Sequence, residues 1–380
     1  MKQIIDQLTA ARQQRPDMTI QDAVKLLYQR SVGPGHLITD PQRAMSYLSA
    51  EFSGCEGTSL ALYEPIGNDL CRVNLAPYRA LGGKADTLFH LLLHCVDAVQ
   101  GDWDAFLGSL DALIPAGFPV DDVEPFLAGY RAAGCPAVHH SDAYRRAYSP
   151  AYRICLEQDA RYLPLLAYLD GALVKHTPQQ PFLLAIEGQA DSGKSTLANL
   201  LKRIYGCQVL HMDDFFLPIE KKTPERLAQP GGNVDWERFS REILQPLTQR
   251  EPLLLRPFDC QTGTLQEAQL IPYTSLMVVE GAYSLHPALN GPYHCKVFLS
   301  LSQWSRRRVS SVATDQSWRN GSATSGSLWK TTTSRPSPSQ SAATLSSRKN
   351  GPHASCMRSV LFTSDGTAPR PQRRRLLQPK

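Results

Sequence analysis

Gly188, Gln189, Ala190, Asp191, Ser192, Gly193, Lys194 and Ser195, followed by Thr196, set two glycines, a lysine and a hydroxyl at the spacing that polyphosphate binding requires. The glycines let main-chain N–H groups wrap a phosphate, Lys194 reaches the β/γ-phosphates, and the Ser195 hydroxyl ligates Mg²⁺. That chemistry dictates its neighbours. A strand must deliver the loop, and a helix must begin inside it so that its positive end faces the anion. Both are legible: Phe182-Leu183-Leu184-Ala185-Ile186 is an apolar run of the buried parallel kind, and residues 196–203 alternate as an amphipathic helix. The nine residues from Gly188 to Thr196 read as a P-loop, which implies that the chain binds a nucleoside triphosphate or descends from one that did.

Strand and helix patterns keep alternating over residues 182–302, so the expected fold class is α/β, a P-loop NTPase-type parallel sheet flanked by helices. Gln208-Val209-Leu210-His211-Met212 reads as a strand ending at Asp213-Asp214-Phe215-Phe216, and Ser275-Leu276-Met277-Val278-Val279-Glu280 as another, followed by Gly281. A fourth is expected at His294-Cys295-Lys296-Val297-Phe298-Leu299. Asp213 falls at the carboxyl end of a parallel strand, where open α/β sheets place their ligands. A carboxylate there can take the proton of a substrate hydroxyl or hold Mg²⁺ through water.

With the P-loop, His211-Met212-Asp213-Asp214-Phe215-Phe216 and Val278-Val279-Glu280-Gly281, residues 182–301 resemble the uridine kinase branch of P-loop kinases, which also includes phosphoribulokinase-like and pantothenate-kinase-like enzymes. The resemblance implies ATP and Mg²⁺, with Lys194 and Asp213 catalytic and with Ser195, Asp213 and Glu280 around the metal. It puts Asp214, Phe215 and Phe216 beside the acceptor, where such kinases stack an aromatic ring on the base or wall the pocket. Gln229-Pro230-Gly231-Gly232-Asn233-Val234-Asp235-Trp236 and Arg256-Pro257-Phe258-Asp259-Cys260-Gln261-Thr262-Gly263 are similar to acceptor-binding loops. There Asp235, Arg256 and Asp259 would hydrogen-bond ribose-type hydroxyls; turn formation and helix capping explain the same residues equally simply. The wording of both loops differs from that of uridine kinases, which leaves the acceptor open. The implied activity is transfer of the γ-phosphoryl group to a nucleoside-like small-molecule hydroxyl. The alternatives are a non-nucleoside acceptor, or an ATP-binding regulatory module that transfers nothing.

Residues 1–176 read as a mainly α-helical domain of unknown function and 177–181 as a Pro-containing linker. The stretch from Asp17 to Tyr28 carries helical spacing with a capping box at Thr19 and Asp22, and Leu88 to Val96 is a nearly all-apolar helix. His36, Glu64 and the cluster His139, His140, Ser141, Asp142, Tyr144 and Arg145 hold the polar chemistry of this region, as a site or as caps and turns. Nine dispersed cysteines without a C-x-x-C pair, and no signal-peptide or membrane-span pattern, point to a cytoplasmic protein with no membrane partner.

The net charge of +5 averages two unlike regions. Residues 303–380 hold 14 Lys/Arg against two acids, Asp315 and Asp365, leaving the preceding residues at −7. This basic tail mixes Ser, Thr, Arg and Pro without period and is expected to be disordered. Read from the third base of each codon, 303–350 regain an arginine-rich helix, a capped turn and a closing helix and strand of the kind the resemblance implies. The tail is therefore expected to be a frameshift product, with Arg306-Arg307-Arg308 and Arg373-Arg374-Arg375 no nucleic-acid interface. Phosphotransfer would then be impaired by loss of the lid.

Overall fold

The computed structural model describes residues 1–57, 60–177, 180–289 and 293–301, and the backbone of two strands at 343–344 and 358–364. The chain divides into two compact units, Met1–Lys175 and His176–Lys380.

In the first unit, helix α1 (Ile20–Ser31) begins at the expected cap, where the Asp22 carboxylate accepts from Thr19 N at 3.0 Å and Thr19 Oγ1 at 2.7 Å. The helix Ala85–Ala98 covers the apolar run around Leu91. Helices alone do not make this unit, however. Strands β1 (Tyr63–Gly67), β2 (Leu70–Asn74) and β3 (Tyr152–Leu156) form an antiparallel sheet in that order, with a short helix α2 (Asp142–Tyr148) leading into β3. Asn68 and Asp69 join β1 to β2 with positive φ at both positions, the geometry of a tight hairpin turn. All five residues of β2 are buried, including Arg72 and Asn74, so the two-residue alternation that marks a strand is erased. The core packs Leu27, Phe106, Leu110 and Leu113 against Ile66 and Ile154 of this sheet.

In the second unit, four parallel strands run in the order β5 (Gln208–His211), β6 (Leu276–Glu280), β4 (Phe182–Gly188) and β7 (Cys295–Leu301). The chain leaves β4 through helix α3 (Lys194–Tyr205) and returns at β5, two positions away, with β6 later filling the gap. That reversal opens a crevice above the carboxyl end of β4. Leu183, Ala185, Leu210, Met277 and Val279 pack one face of the sheet against Phe215, Phe239 and Ile243. The four-stranded parallel sheet with helices, and the glycine loop leaving its inner strand β4, are the α/β arrangement expected.

One stretch of the tail departs from expectation: strand β8 (Arg358–Ser364) pairs antiparallel with β7, Phe362 opposite Val297, and Ala343–Thr344 pairs with β8 in turn. The apolar run Val360-Leu361-Phe362 has the β-propensity that the surrounding Ser/Arg composition lacks. The other residues expected to be disordered, with both arginine triplets, lie outside the described residues. No helix among the described residues is long and apolar enough to cross a membrane.

Candidate active site

The loop from Gly188 to Ser195 turns over the end of β4 because glycine stands where a side chain cannot. A Cβ at Gly188 would collide with the Leu299 carbonyl on β7 and with Ser192 Oγ, while Gly193 takes φ +90° at the N-cap of α3. Asp191, the one other left-handed residue here, has φ +59°. The result is an open concavity of about 330 Å³ lined by Asp191, Gly193, Lys194, Ser195 and Thr196. Lys194 Nζ donates to the Gln189 carbonyl at 3.0 Å, folding the ammonium back over the loop. Ser192 is fully buried, and its Oγ has no hydrogen-bond partner among the described residues. Gln189 and Ala190 are exposed at the rim.

The acid expected at the end of β6 meets the loop directly. Glu280 is 5% exposed and its Oε1 accepts from Ser195 Oγ at 3.0 Å and faces His211 Nδ1 at 2.6 Å. Both contacts use Oε1, which leaves Oε2 without a protein partner among the described residues. Burial works against ionisation of Glu280, but the His211 and Ser195 hydrogen bonds outweigh it and hold the carboxyl below its ordinary value. The same hydrogen bond pushes His211 up against the opposing effect of burial. Asp213 and Asp214 follow on the 3₁₀ turn Met212–Phe215. Desolvation and then the Glu280 charge push Asp213 up, with Lys194 opposing, so Asp213, Glu280 and Lys194 share one electrostatic neighbourhood. Asp214 is also pushed up, chiefly by desolvation.

No group of three or more His, Cys, Asp and Glu is placed to hold a metal among the described residues. The donor set is instead one hydroxyl and one carboxylate with a free oxygen, beside the anion concavity. Mg²⁺ in phosphoryl-transfer sites takes such a set, completing its shell with phosphate and water. The concavity beside it, lined by Gly193, Lys194, Ser195 and Thr196 at the N-terminus of α3, fits a phosphate.

The residues expected at the acceptor are placed differently. Phe215 is fully buried, edge-on to Phe239 at 4.9 Å and under the Arg238 guanidinium at 4.4 Å, so it supports the acid turn from beneath. Phe216 is half-buried and bridges to Val234 through its backbone. Asp235 caps the helix Trp236–Phe239 by accepting from Arg238 N at 2.9 Å and faces Lys221 Nζ at 3.5 Å. Arg256 pairs with Glu242. Asp259 accepts from Gln261 N at 2.7 Å within its own turn. A cap, an ion pair and a turn occupy these three in order.

Sequence reasoning passed over three contributors. His211 orients Glu280, and its position two residues before Asp213 was the only signal. Glu187 accepts from Gly188 N at 2.9 Å and Leu285 N at 3.1 Å, tying the P-loop to the segment after β6. Trp236 stacks on His286 at 4.2 Å and carries Arg226 over its other face at 3.3 Å. That assembly closes the Gln229-to-Trp236 loop, where a Cβ at Gly232 would strike the Arg226 carbonyl.

No family model and no curated protein sequence matches the chain. Among solved structures it is similar to one described as a possible uridine kinase from Bacillus stearothermophilus, at 21% identity over 34% of this chain and 77% of that one, with a TM-score of 0.31. A TM-score that low carries no weight for fold or chemistry, both of which rest on the strand order and loop geometry above.

Proposed function

We propose that the second unit is an ATP-dependent small-molecule kinase of the uridine kinase type, acting on a nucleoside-like hydroxyl. The observation that carries this reading is the contact of Ser195 with Glu280, which brings a P-loop hydroxyl and a strand-end carboxylate with a free oxygen to one point beside the anion cradle. Main-chain N–H groups from Gly188 to Thr196 and the Lys194 ammonium neutralise the triphosphate. Ser195 and Glu280 would hold Mg²⁺, which on binding supplies charge neutralisation at the β/γ-phosphates. Asp213, with its raised proton affinity, takes the proton of the acceptor hydroxyl, and Phe216 walls the acceptor side. His211 keeps Glu280 ionised and aimed at the loop.

The test is a screen of hydroxyl acceptors scored by ADP release. Asp213→Asn is expected to lower acceptor-dependent release by roughly 10²-fold or more while ATP affinity stays within a small factor. If Asp213→Asn leaves release unchanged, Asp213 is not the base; if no acceptor stimulates release while ATP binds, the unit is a nucleotide-controlled regulatory module.

A further inference from the structure

The N-terminal unit buries a second polar assembly, built on α1, β2, β3 and the residues before α2. At its floor the Asp22 carboxylate takes five donors. Oδ1 faces His140 Nδ1 at 2.8 Å and accepts from Ser141 N at 3.0 Å. Oδ2 accepts from Thr19 N, Thr19 Oγ1 and Ser141 Oγ at 3.0, 2.7 and 2.6 Å. Five donors hold Asp22 ionised, so the imidazole proton of His140 sits on Nδ1 and its Nε2 accepts from the Tyr152 hydroxyl at 2.6 Å. The Tyr152 oxygen accepts from Gln29 Nε2 at 3.3 Å, and Gln29 Oε1 accepts from Arg72 Nε and Nη2 at 3.1 and 2.7 Å. Arg72 also lies over the Tyr152 ring at 4.7 Å. With the Tyr152 proton given to His140 Nε2 at 2.6 Å, and not to Gln29 Oε1 at 3.5 Å, the donors run from Arg72 to Asp22.

The charges along it do not balance. Arg72 is 6% exposed, yet its protein acceptor is a neutral amide, which occupies two of the five N–H donors of a guanidinium. Lys25, one turn before Gln29 on α1, donates only to the Val138 carbonyl, at 2.9 Å. The neighbouring carboxylates are taken: Asp22 by its five donors, and Glu64, opposite Arg72 across the β1–β2 pair, by a two-pronged contact with Arg15 at 2.7 Å. Burial, then repulsion from Arg72 and Arg145, push Lys25 down to about 8, with attraction to Asp22 opposing. Arg145 is exposed on α2, one turn past Ser141. Asp22 takes its five hydrogen bonds from neutral groups and keeps its charge, so Arg72, Lys25 and Arg145 stand as three cations against that one carboxylate among the described residues.

We propose that the N-terminal unit holds a second ligand site, for a phosphate dianion or phosphomonoester, in which Arg72 and Lys25 bind the oxyanion from within, Arg145 closes the rim, and Tyr152 is aligned beside it by His140 and Asp22. One buried cation, one half-buried and one at the rim match a doubly charged oxyanion better than a carboxylate. This site is independent of the kinase reading. Its residues include His140 and Arg145, singled out in the sequence; Glu64 is held by Arg15, and His36 is edge-on to Tyr28 at 5.1 Å.

The test is a titration of the full chain with inorganic phosphate and with glycerol phosphate, followed by ³¹P NMR and calorimetry, with Lys194→Ala in place to weaken the P-loop. Saturable binding is expected, weakened roughly tenfold or more by Arg72→Met and by Lys25→Met, and severalfold by Arg145→Ala. The exposed Arg145 can be removed without disturbing the fold, so that variant decides the matter should the buried ones fail to fold. Tighter binding of glycerol phosphate identifies an ester ligand, and equal affinity a free phosphate. The proposal falls if the Lys194→Ala chain shows no saturable binding, if Arg145→Ala and Arg72→Met bind as tightly as their parent, or if acetate competes as well as phosphate.

Discussion

Replacing Gly188 by alanine tests the P-loop geometry at its tightest point. The added methyl would meet the carbonyl of Leu299, which is the register partner of Gly188 on β7, and Ser192 Oγ from the other side. The serine can rotate; the carbonyl cannot, because it belongs to the ladder between β4 and β7. Relief requires the two strands to part at their carboxyl ends, an overpacking cost of about 1–3 kcal/mol with about 1 kcal/mol more for a disturbed hydrogen bond. For a unit of this size, about 2–4 kcal/mol corresponds to a loss of roughly 6–15 °C in melting temperature. Gly206→Ala is the matched control: it also has positive φ, +61°, but open space around it, so backbone strain of about 1 kcal/mol is its whole cost. The assay is amide hydrogen exchange at residues 297–300 together with binding of a fluorescent ATP analogue. Gly188→Ala should raise exchange in β7 and lower affinity at least tenfold, and Gly206→Ala should do neither. If the two variants behave alike, the loop does not pack on β7 as described.

Glu280→Gln should raise the Mg²⁺ concentration needed for nucleotide binding by roughly 10–100-fold, read by titration at fixed ATP, because the oxygen left free by Ser195 and His211 loses its charge. Asp22→Asn should destabilise the N-terminal unit by about 2–4 kcal/mol in urea unfolding, since an amide turns N–H groups toward the Thr19 and Ser141 donors. In the parent chain, burial opposes the charge on Asp22, but hydrogen bonds from His140, Ser141 and Thr19 outweigh it and hold the carboxyl far below its ordinary value. The stability this contributes is therefore complete above the unfolded-state value of about 3.9 and is lost as pH falls below it. Acid unfolding of the unit should steepen below about pH 4 in the parent and lose that component in Asp22→Asn. A chain whose residues from 303 onward are read in the alternative frame should turn over acceptor roughly 10²-fold faster or more, since lid arginines are worth that much in related phosphoryl transfers; DNA whose alternative frame is interrupted by stops would remove the basis for that expectation.

The glycine loop was legible in place because its pattern is local: two glycines, a lysine and a hydroxyl fall within eight residues, between a strand and a helix that announce themselves by hydrophobic period. The acid turn after β5 and the acid ending β6 were legible for a similar reason, since strand ends in a parallel sheet converge on one edge. The sheet of the N-terminal unit was hidden because β2 is buried on both faces and buries an arginine and an asparagine. Phe215 was misleading in type: an aromatic next to an acid pair suits a pocket wall and a core equally, and only the packing against Phe239 and Arg238 separates them. Asp235, Arg256 and Asp259 show the same ambiguity for polar groups, because a cap, an ion pair or a turn needs the same side chain as a substrate contact.

What distinguishes the buried carboxylates Asp22 and Glu280 is a count of donors against lone pairs, and that count is made by the fold. Asp22 and Glu280 each sit beside a histidine and a serine, and each is held below the ordinary range by those partners. Asp22 receives five donors on two oxygens and has nothing left to offer; it can only fix its neighbours. Glu280 receives two on one oxygen and keeps the other free. If both proposals hold, the first arrangement aligns a relay beside an excess of cations, which suits an anionic ligand, and the second leaves negative charge beside the loop concavity, which suits a cation bridging the two. Exchanging the charge at each site should then have opposite consequences: Asp22→Asn acts on the stability of its unit, whereas Glu280→Gln acts on the metal dependence of nucleotide binding and little on the stability of the sheet. A Glu280→Gln chain that unfolds several degrees earlier yet binds nucleotide at unchanged Mg²⁺ would show that Glu280 is structural after all.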